Sequence, residues 1–489
     1  MSRLPVTRTG IHLLRDPGRV ITKPFLPGET VFPDGQSRVE AIVGRILTLS
    51  AAEVAETLAD TEETFTHRHA ALKEVFARHF DLVSGLVDLP TGLSAEHRLL
   101  IGAYFTHEYS IEATALNNPS IVPAPDQSGV AEGELAFLMS LRAIGEGHIS
   151  SIEFRSGVVA ADGEVRVDEP GPWPGTGSRT AAVYDKHFFT TRLAELGALN
   201  EIATTVLDSL EARFTIEHIE LAIAHLDRGG VDRSLAFETT RIIHWLASSN
   251  YTVAYPGDSI PSERVIFPAG PTESRGMEDA RFVRFVDDDG AVTYYATYTA
   301  FDGHQILPQL IETGDFLTFE VGTLGGIRAT NKGIALFPRK IDGRHVALSR
   351  YDNQNTHLMF SDDVRFWDEA ERLQVPKQAW ELIQIGNCGS PLETEAGWLV
   401  ITHGVGPMRQ YSLGAILLDK DDPQRVIGHL DEPLLVPNDD ERDGYVPNVV
   451  YSCGSLIHRD WLILPYGYAD EATRVARVEV GELLQRLAG

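Results

Sequence analysis

The sequence predicts a mainly β protein: a five-bladed β-propeller with a helical N-terminal segment and a helical insertion. Two observations predict it. One form, a short apolar strand, a tight polar turn and a second strand, recurs along the chain. The copies are DARFVRFVDDDGAVTYYATYTA (279–300), GIALFPRKIDGRHVALSR (333–350), GSPLETEAGWLVITHG (389–404) and GSLIHRDWLILPYG (454–467), with a fainter copy at 118–142. Roughly 55 to 65 residues separate the starts of the last four, the kind of period that multi-stranded blades produce. An irregular β-sandwich is the competing reading, and the regular spacing favours blades.

Taken in chain order, residues 40–116 read mostly helical. The segment from Ala51 to Phe80 carries apolar residues near the 3.6-residue period, and a second helix is expected over about Ala95–Glu112. The helical N-terminal extension is therefore drawn as 1–116. The propeller is drawn as 117–480, interrupted by a helical insertion at 157–260, and 481–489 is a C-terminal tail. Within the insertion GPWPGTGS (171–178) reads as a loop, 181–250 as helical, and Gly229-Gly230 as a stop signal.

Composition narrows the function. The chain has 489 residues and a formal net charge of −28, which argues against a nucleic-acid or anionic-membrane partner. No run approaches the roughly 18 apolar residues of a membrane span, and the N-terminus lacks the apolar stretch of a secretory signal. Cys388 and Cys453 cannot build a disulfide framework or a four-ligand zinc site by themselves, which fits a reducing cytoplasm. P-loop, GxSxG and HExxH patterns are absent, so neither a metal nor an organic cofactor is expected.

Polar residues recur at strand ends of the repeated units, where blade loops would gather around one opening. These are Asn118, Ser120 and Arg142, with His148 and Arg155; Glu278, Asp279 and Arg281, with Tyr298 and Asp302; Asn331, Lys332 and Arg350; Asn387, Glu393, His403 and Arg409; and Asn448, Tyr466 and Asp470. GMEDAR (276–281) stands out because a carboxylate beside an arginine has a tunable proton affinity. Alternation along a strand sends Glu278 and Asp279 to opposite faces, one to hold Arg281 and the other to face a cleft. Each residue also has a structural reading: Arg142 and Arg350 as core arginines, His403 as a satisfied core histidine, Asn118 and Asn448 as turn formers.

Beyond this the residues resemble glycoside hydrolase family 130. The resemblance rests on GMEDAR with TYTAFDG, ALFPRKIDG, SPLETEAGWLVITHGV, YSLGAILLDKDDP, YVPNVVYSCGSL and YGYAD, and covers about 118–156 and 265–480. It implies a five-bladed propeller acting on β-mannosides. It implies that Asp279 is the general acid, its proton reaching the glycosidic oxygen through a mannose hydroxyl, with Ala280 where proline is usual. Asn118, Arg142 and Asp470 match mannosyl-binding positions, Lys332 and Arg350 match phosphate-binding positions, and His403 matches the family's His-Gly motif. Glu278, Arg281, Tyr298 and Asp302 complete the expected substrate lining.

One departure divides the mechanisms. Glu393 stands where phosphorylases commonly carry lysine, and Arg409 in a neighbouring loop is the candidate replacement for that charge. The expected activity is an inverting phosphorylase that cleaves β-mannosides with inorganic phosphate as co-substrate, giving α-mannose 1-phosphate. The alternative is an inverting β-mannosidase with Glu393 as the base for water, the two carboxyls about 6.5–9.5 Å apart. A mannosyltransferase or a non-catalytic carbohydrate-binding propeller stands behind both. The expected partner is a small oligosaccharide, and homo-oligomers are left open.

Overall fold

The computed structural model describes residues 5–28, 35–226 and 233–488, and forms two compact units. The expected stop at Gly229-Gly230 lies outside the described residues. No described helix is long and apolar enough to cross a membrane.

The smaller unit comprises Asp16–Ala113 with Pro170–Gly175. Its helices Arg38–Ile46, Ala51–Phe65, Leu72–Ser84 and Ala95–Tyr104 follow from local chemistry. Ser37 with Glu40 and Ser50 with Glu53 form reciprocal caps that satisfy the first free amides of two of them. Val54, Val83, Ile101 and Phe105 fill the core between the helices. Gly102 admits the close approach of Leu72–Ser84, since a side chain there would collide with the Phe76 carbonyl. The last helix stops at Tyr104, earlier than the sequence suggests, because Thr106–Ser110 is drawn into antiparallel pairing with Val20–Pro24. Beneath the ribbon Arg19 and Glu112 form a buried ion pair of 2.8 Å.

The larger unit comprises Met1–Arg15, Thr114–Glu169 and Thr176–Gly489, and is mainly β. Apart from a two-residue ribbon among the helices, its described strands fall into five antiparallel groups, and each contains one of the five expected hairpins. The first is Ala115–Pro123, Leu135–Ile144, Ser150–Val159 and Val165–Val167. The second runs Gly276–Val286, Val292–Phe301, Ile306–Thr313 and Thr318–Thr323, and a single parallel pair, Gly276 with Ser150, links it to the first. The third is Ala335–Leu336, His345–Ser349, Thr356–Ser361 and Glu369–Gln374. The fourth is built around Gly397–Val405 and Tyr411–Leu418, the fifth around Trp461–Tyr468 and Ala472–Glu479. Apolar clusters fill the spaces between groups. In one, Phe154, Phe282, Phe316 and Phe319 pack edge-on and stacked, each burial worth about 1.5–3 kcal/mol.

Three boundaries differ from expectation. The insertion contributes helices Lys186–Glu195, Glu201–Asp208, Ile216–Ala224 and Arg233–Ser248, but its flanks are strands. Ser150–Val159 runs on through residue 157, and Ser178–Ala181 and Tyr251–Ala254 extend the second sheet. The expected tail at 481–489 is, over its described residues, no loose segment: helix Val480–Ala488 buries Leu483 and Leu487 against the last two groups. Thr7–Leu13, expected within a helical extension, is a strand paired with Ala472–Glu479.

That terminal strand is pinned by Arg8. Its guanidinium donates to both carboxylate oxygens of buried Glu441 at 2.9 Å, and the Tyr466 hydroxyl donates to the same carboxylate at 2.7 Å. Burial pushes the Glu441 pKa up, but the bonds from Arg8 and Tyr466 outweigh it and hold the group below the usual carboxylate range. Its stabilisation is therefore present above the unfolded-state pKa and lost as pH falls through the lower folded value. Arg8→Ala leaves buried Glu441 with Arg474, 3.7 Å away, as its remaining cation and is expected to cost about 3 kcal/mol in denaturant unfolding at neutral pH, shrinking in acid. A cost independent of pH would contradict the ion-pair account.

Candidate active site

Two β-bulges build the site. Pairing slips between Asn117 and Ser120 on one strand and between Glu278 and Arg281 on another. At each slip one residue takes a left-handed backbone, Asn118 at φ +49° and Asp279 at φ +56°. Such conformations are uncommon outside glycine and recur where a side chain must be re-aimed. The result departs from simple alternation: Glu278 and Asp279 both line one cavity instead of facing opposite ways. The Ser120 hydroxyl accepts from the Phe282 amide at 3.1 Å and ties the two bulges together.

The cavity measures about 320 Å³ and draws on all five strand groups: Asn118 and Arg142; Glu278, Asp279 and Ile306; Lys332, Arg350 and Asn353; Gln384, Arg409 and Tyr411; Val446, Val449, Tyr451 and Asp470. Asn118 Nδ2 donates to Asp279 Oδ1 at 2.6 Å. Glu278 bridges two cations, accepting from Arg142 at 2.6 Å and from Lys332 Nζ at 2.7 Å. It does not hold Arg281. That buried guanidinium instead donates to the Asp279 carbonyl at 3.0 Å and to the Tyr451 hydroxyl at 2.6 Å.

The two carboxyls of Asp279 and Asp470 are pushed apart. Burial raises the Asp279 pKa, but Arg281, Arg142 and Lys332, with the Asn118 bond, outweigh it and leave the group below its ordinary value. For Asp470 burial also acts upward, Asp279 and Glu278 add to it, and the net direction is up despite Arg142 and Arg409. Divergent proton affinities in one cavity are a mark of acid–base sites.

On the cationic side, Arg350 donates to His403 Nε2 at 3.0 Å. Burial first, then Arg350 and Arg281, drive the His403 pKa well below its ordinary value, so the ring is neutral and accepts at Nε2. Tyr451 packs edge-on against it at 5.0 Å. His403 thus lies behind Arg350, and among the sequence-expected residues it and Arg281 support the cavity without lining it. Arg409, at φ +56°, reaches over the Tyr411 ring at 5.7 Å.

Three expected residues lie elsewhere. Tyr298 is buried, donating to Glu273 at 2.6 Å and contacting Gln309 at 3.0 Å, so it serves the framework of the second sheet. Asp302 caps its own turn, accepting from the amides of His304 at 2.8 Å and Gln305 at 2.6 Å. Glu393 is the larger correction. It makes a two-pronged pair with Arg339 at 2.9 and 3.0 Å, with Lys420 3.5 Å away. These bonds, Arg339's first, hold its pKa below the ordinary range. It lines a separate cavity with Phe282, Val286 and Leu392, some 10–20 Å from Asp279 along the shared strand. Glu393 is therefore misplaced as a base for water at the Asp279 cavity.

Asn353, Gln384, Tyr411 and Tyr451 line the cavity without having been expected to. Tyr411 opens the YSLGAILLDKDDP segment and Tyr451 lies within YVPNVVYSCGSL, which was the available signal. No group of three or more His, Cys, Asp or Glu residues that could hold a metal occurs among the described residues.

The profile of glycoside hydrolase family 130, described as beta-1,4-mannooligosaccharide phosphorylase, matches residues 251–488. A 1,2-beta-oligomannan phosphorylase of Thermoanaerobacter sp. (strain X514) is 36% identical over 219 residues, covering 43% of this chain and 71% of the relative. A beta-1,2-mannobiose phosphorylase of the same organism is 36% identical over 242 residues, covering 48% and 78%. A beta-1,2-mannobiose phosphorylase of Listeria innocua is 29% identical over 293 residues, covering 55% and 79%. The chain belongs to glycoside hydrolase family 130 and is a glycoside-active enzyme.

Proposed function

We propose that the protein is an inverting phosphorylase that cleaves β-mannosides with inorganic phosphate and releases α-mannose 1-phosphate. The observation that carries this reading is the composition of one cavity: Asp279 shares about 320 Å³ with Lys332, Arg350 and Arg409. Phosphate is already nucleophilic, so phosphorolysis needs one proton donor and a set of cations, and no base for water. Arginine offers a planar donor fork and lysine a compact charge, which together suit a phosphate. The similarity to an oligomannan phosphorylase and a mannobiose phosphorylase supports the same reading.

In this reading the five strand groups are five blades around one axis. Both the Asp279 cavity and the Glu393 cavity take residues from all five groups, at opposite ends of shared strands, as the two mouths of a central channel would. Asn118, Arg142 and Asp470 hold the mannosyl unit. A phosphate oxygen attacks the anomeric carbon, the glycosidic C–O bond breaks, and the leaving oxygen takes a proton that originates on Asp279 and passes through a mannosyl hydroxyl. Asp279 is held ionised by its cationic neighbours, so it must gain that proton as the site fills. Bound phosphate at Lys332 offsets part of that positive field and raises the proton affinity of Asp279.

Release of sugar from β-1,2- or β-1,4-mannobiose is expected only when phosphate is present; release in its absence would refute phosphorolysis. Asp279→Asn is expected to lower kcat by about 10²-fold or more, and near-normal turnover would remove it as the acid. Arg350→Ala should raise KM for phosphate far more than KM for mannobiose, whereas equal increases would mark a purely structural arginine. Glu393→Gln should leave phosphorolysis within about twofold of normal, as for most substitutions far from reacting atoms; a large loss would return Glu393 to the site.

A further inference from the structure

The cavity is small. At about 320 Å³ it is near the lower bound of about 300 Å³ for ligand pockets, and its lining is dominated by charged and amide groups. That suits one mannosyl unit with a phosphate. The second sugar of a substrate then lies at the mouth.

The mouth carries apolar surface. His148 sits in the turn after strand Leu135–Ile144, whose Arg142 lines the cavity. Its ring lies against that of Tyr445 at 5.6 Å between centroids and 30° between planes. Tyr445 immediately precedes the cavity residue Val446 and is 65% exposed. Met408 immediately precedes the cavity residue Arg409 and is 91% exposed. His148 and Met408 both hold left-handed backbones, each at φ +57°. A methionine is uncommon on such a backbone, and constrained conformations of this kind cluster at ligand clamps.

We propose that the Tyr445–His148 pair, with Met408 beside Arg409, is the platform for the acceptor-side sugar of the β-mannoside. In a β-linked mannopyranose or glucopyranose the axial hydrogens at C1, C3 and C5 form one apolar face, which packs on an aromatic ring, while the equatorial hydroxyls point outward to polar neighbours. The ligand class is therefore the pyranose on the leaving side of the cleaved bond, whose axial hydrogens at C3 and C5 share that apolar face, and the platform sets affinity for the leaving sugar without touching the phosphate. This inference rests on the phosphorylase reading above.

The test uses the full chain in an Asp279→Asn background, where cleavage is suppressed, with calorimetric titration of β-1,2-mannobiose, β-1,4-mannobiose and mannose 1-phosphate. Tyr445→Ala is expected to weaken at least one mannobiose about five- to tenfold, the loss of one aromatic face contact, and to leave mannose 1-phosphate within about twofold. Tyr445→Phe, which keeps the ring, should retain most of the affinity. Equal weakening of all ligands, no weakening, or no mannobiose binding in the Asp279→Asn parent overturns the platform. Phosphate-independent turnover by the unmodified chain would overturn the parent reading instead, and the titration would still decide the platform.

Discussion

The Asn118–Asp279 hydrogen bond is the contact on which the site depends. It joins two strands from different antiparallel groups at the one point where each carries an extra residue, and both partners sit on left-handed backbones. Without the bulges, Asp279 would share a strand with Glu278 in ordinary alternation and only one of them could face the cavity. The neighbouring contacts hold the arrangement in place: Ser120 ties bulge to bulge, and Arg281 grips the Asp279 carbonyl from beneath. Local strain is tolerated because the surrounding bonds over-determine it.

Electrostatics divides the molecule into two scales. The whole chain carries a formal charge of −28, yet the cavity gathers Arg142, Lys332, Arg350 and Arg409 within one small volume. At physiological ionic strength the screening length is about 8 Å, so distant surface carboxylates lose most of their influence there. Glu278 occupies two of these cations before any ligand arrives. An entering anion competes with a carboxylate already present, and the Glu278 side chain fixes where Arg142 and Lys332 wait.

Much of this was legible in the chain. Hairpins announce themselves through a two-residue apolar period broken by Asp, Gly and Asn, and all five expected hairpins are found. Eight expected residues meet in the cavity because strand ends in equivalent positions point at one opening. The bulges were not legible, since one inserted residue leaves the apolar pattern nearly unchanged while reversing which face follows. Glu393 was misassigned for a related reason. It stands only six residues from Asn387, but the chain turns between them and carries Glu393 to the other end of Gly397–Val405, paired with Trp398. Thr7–Leu13 escaped notice because its partner is more than 450 residues away in sequence, beyond any local signal.

That same strand has a consequence for how the enzyme is made. The fifth sheet, which supplies Tyr451 and Asp470, contains one strand whose synthesis begins more than 440 residues before that of the others. A growing polypeptide can settle its intermediate sheets early, but the segment around Thr7–Leu13 must wait unpaired until Ala472–Glu479 emerges. Long-range β pairing of this kind is slow and leaves an open edge exposed meanwhile. The fifth sheet therefore gains this strand only after Ala472–Glu479 has emerged, and Arg8 then fastens it to Glu441.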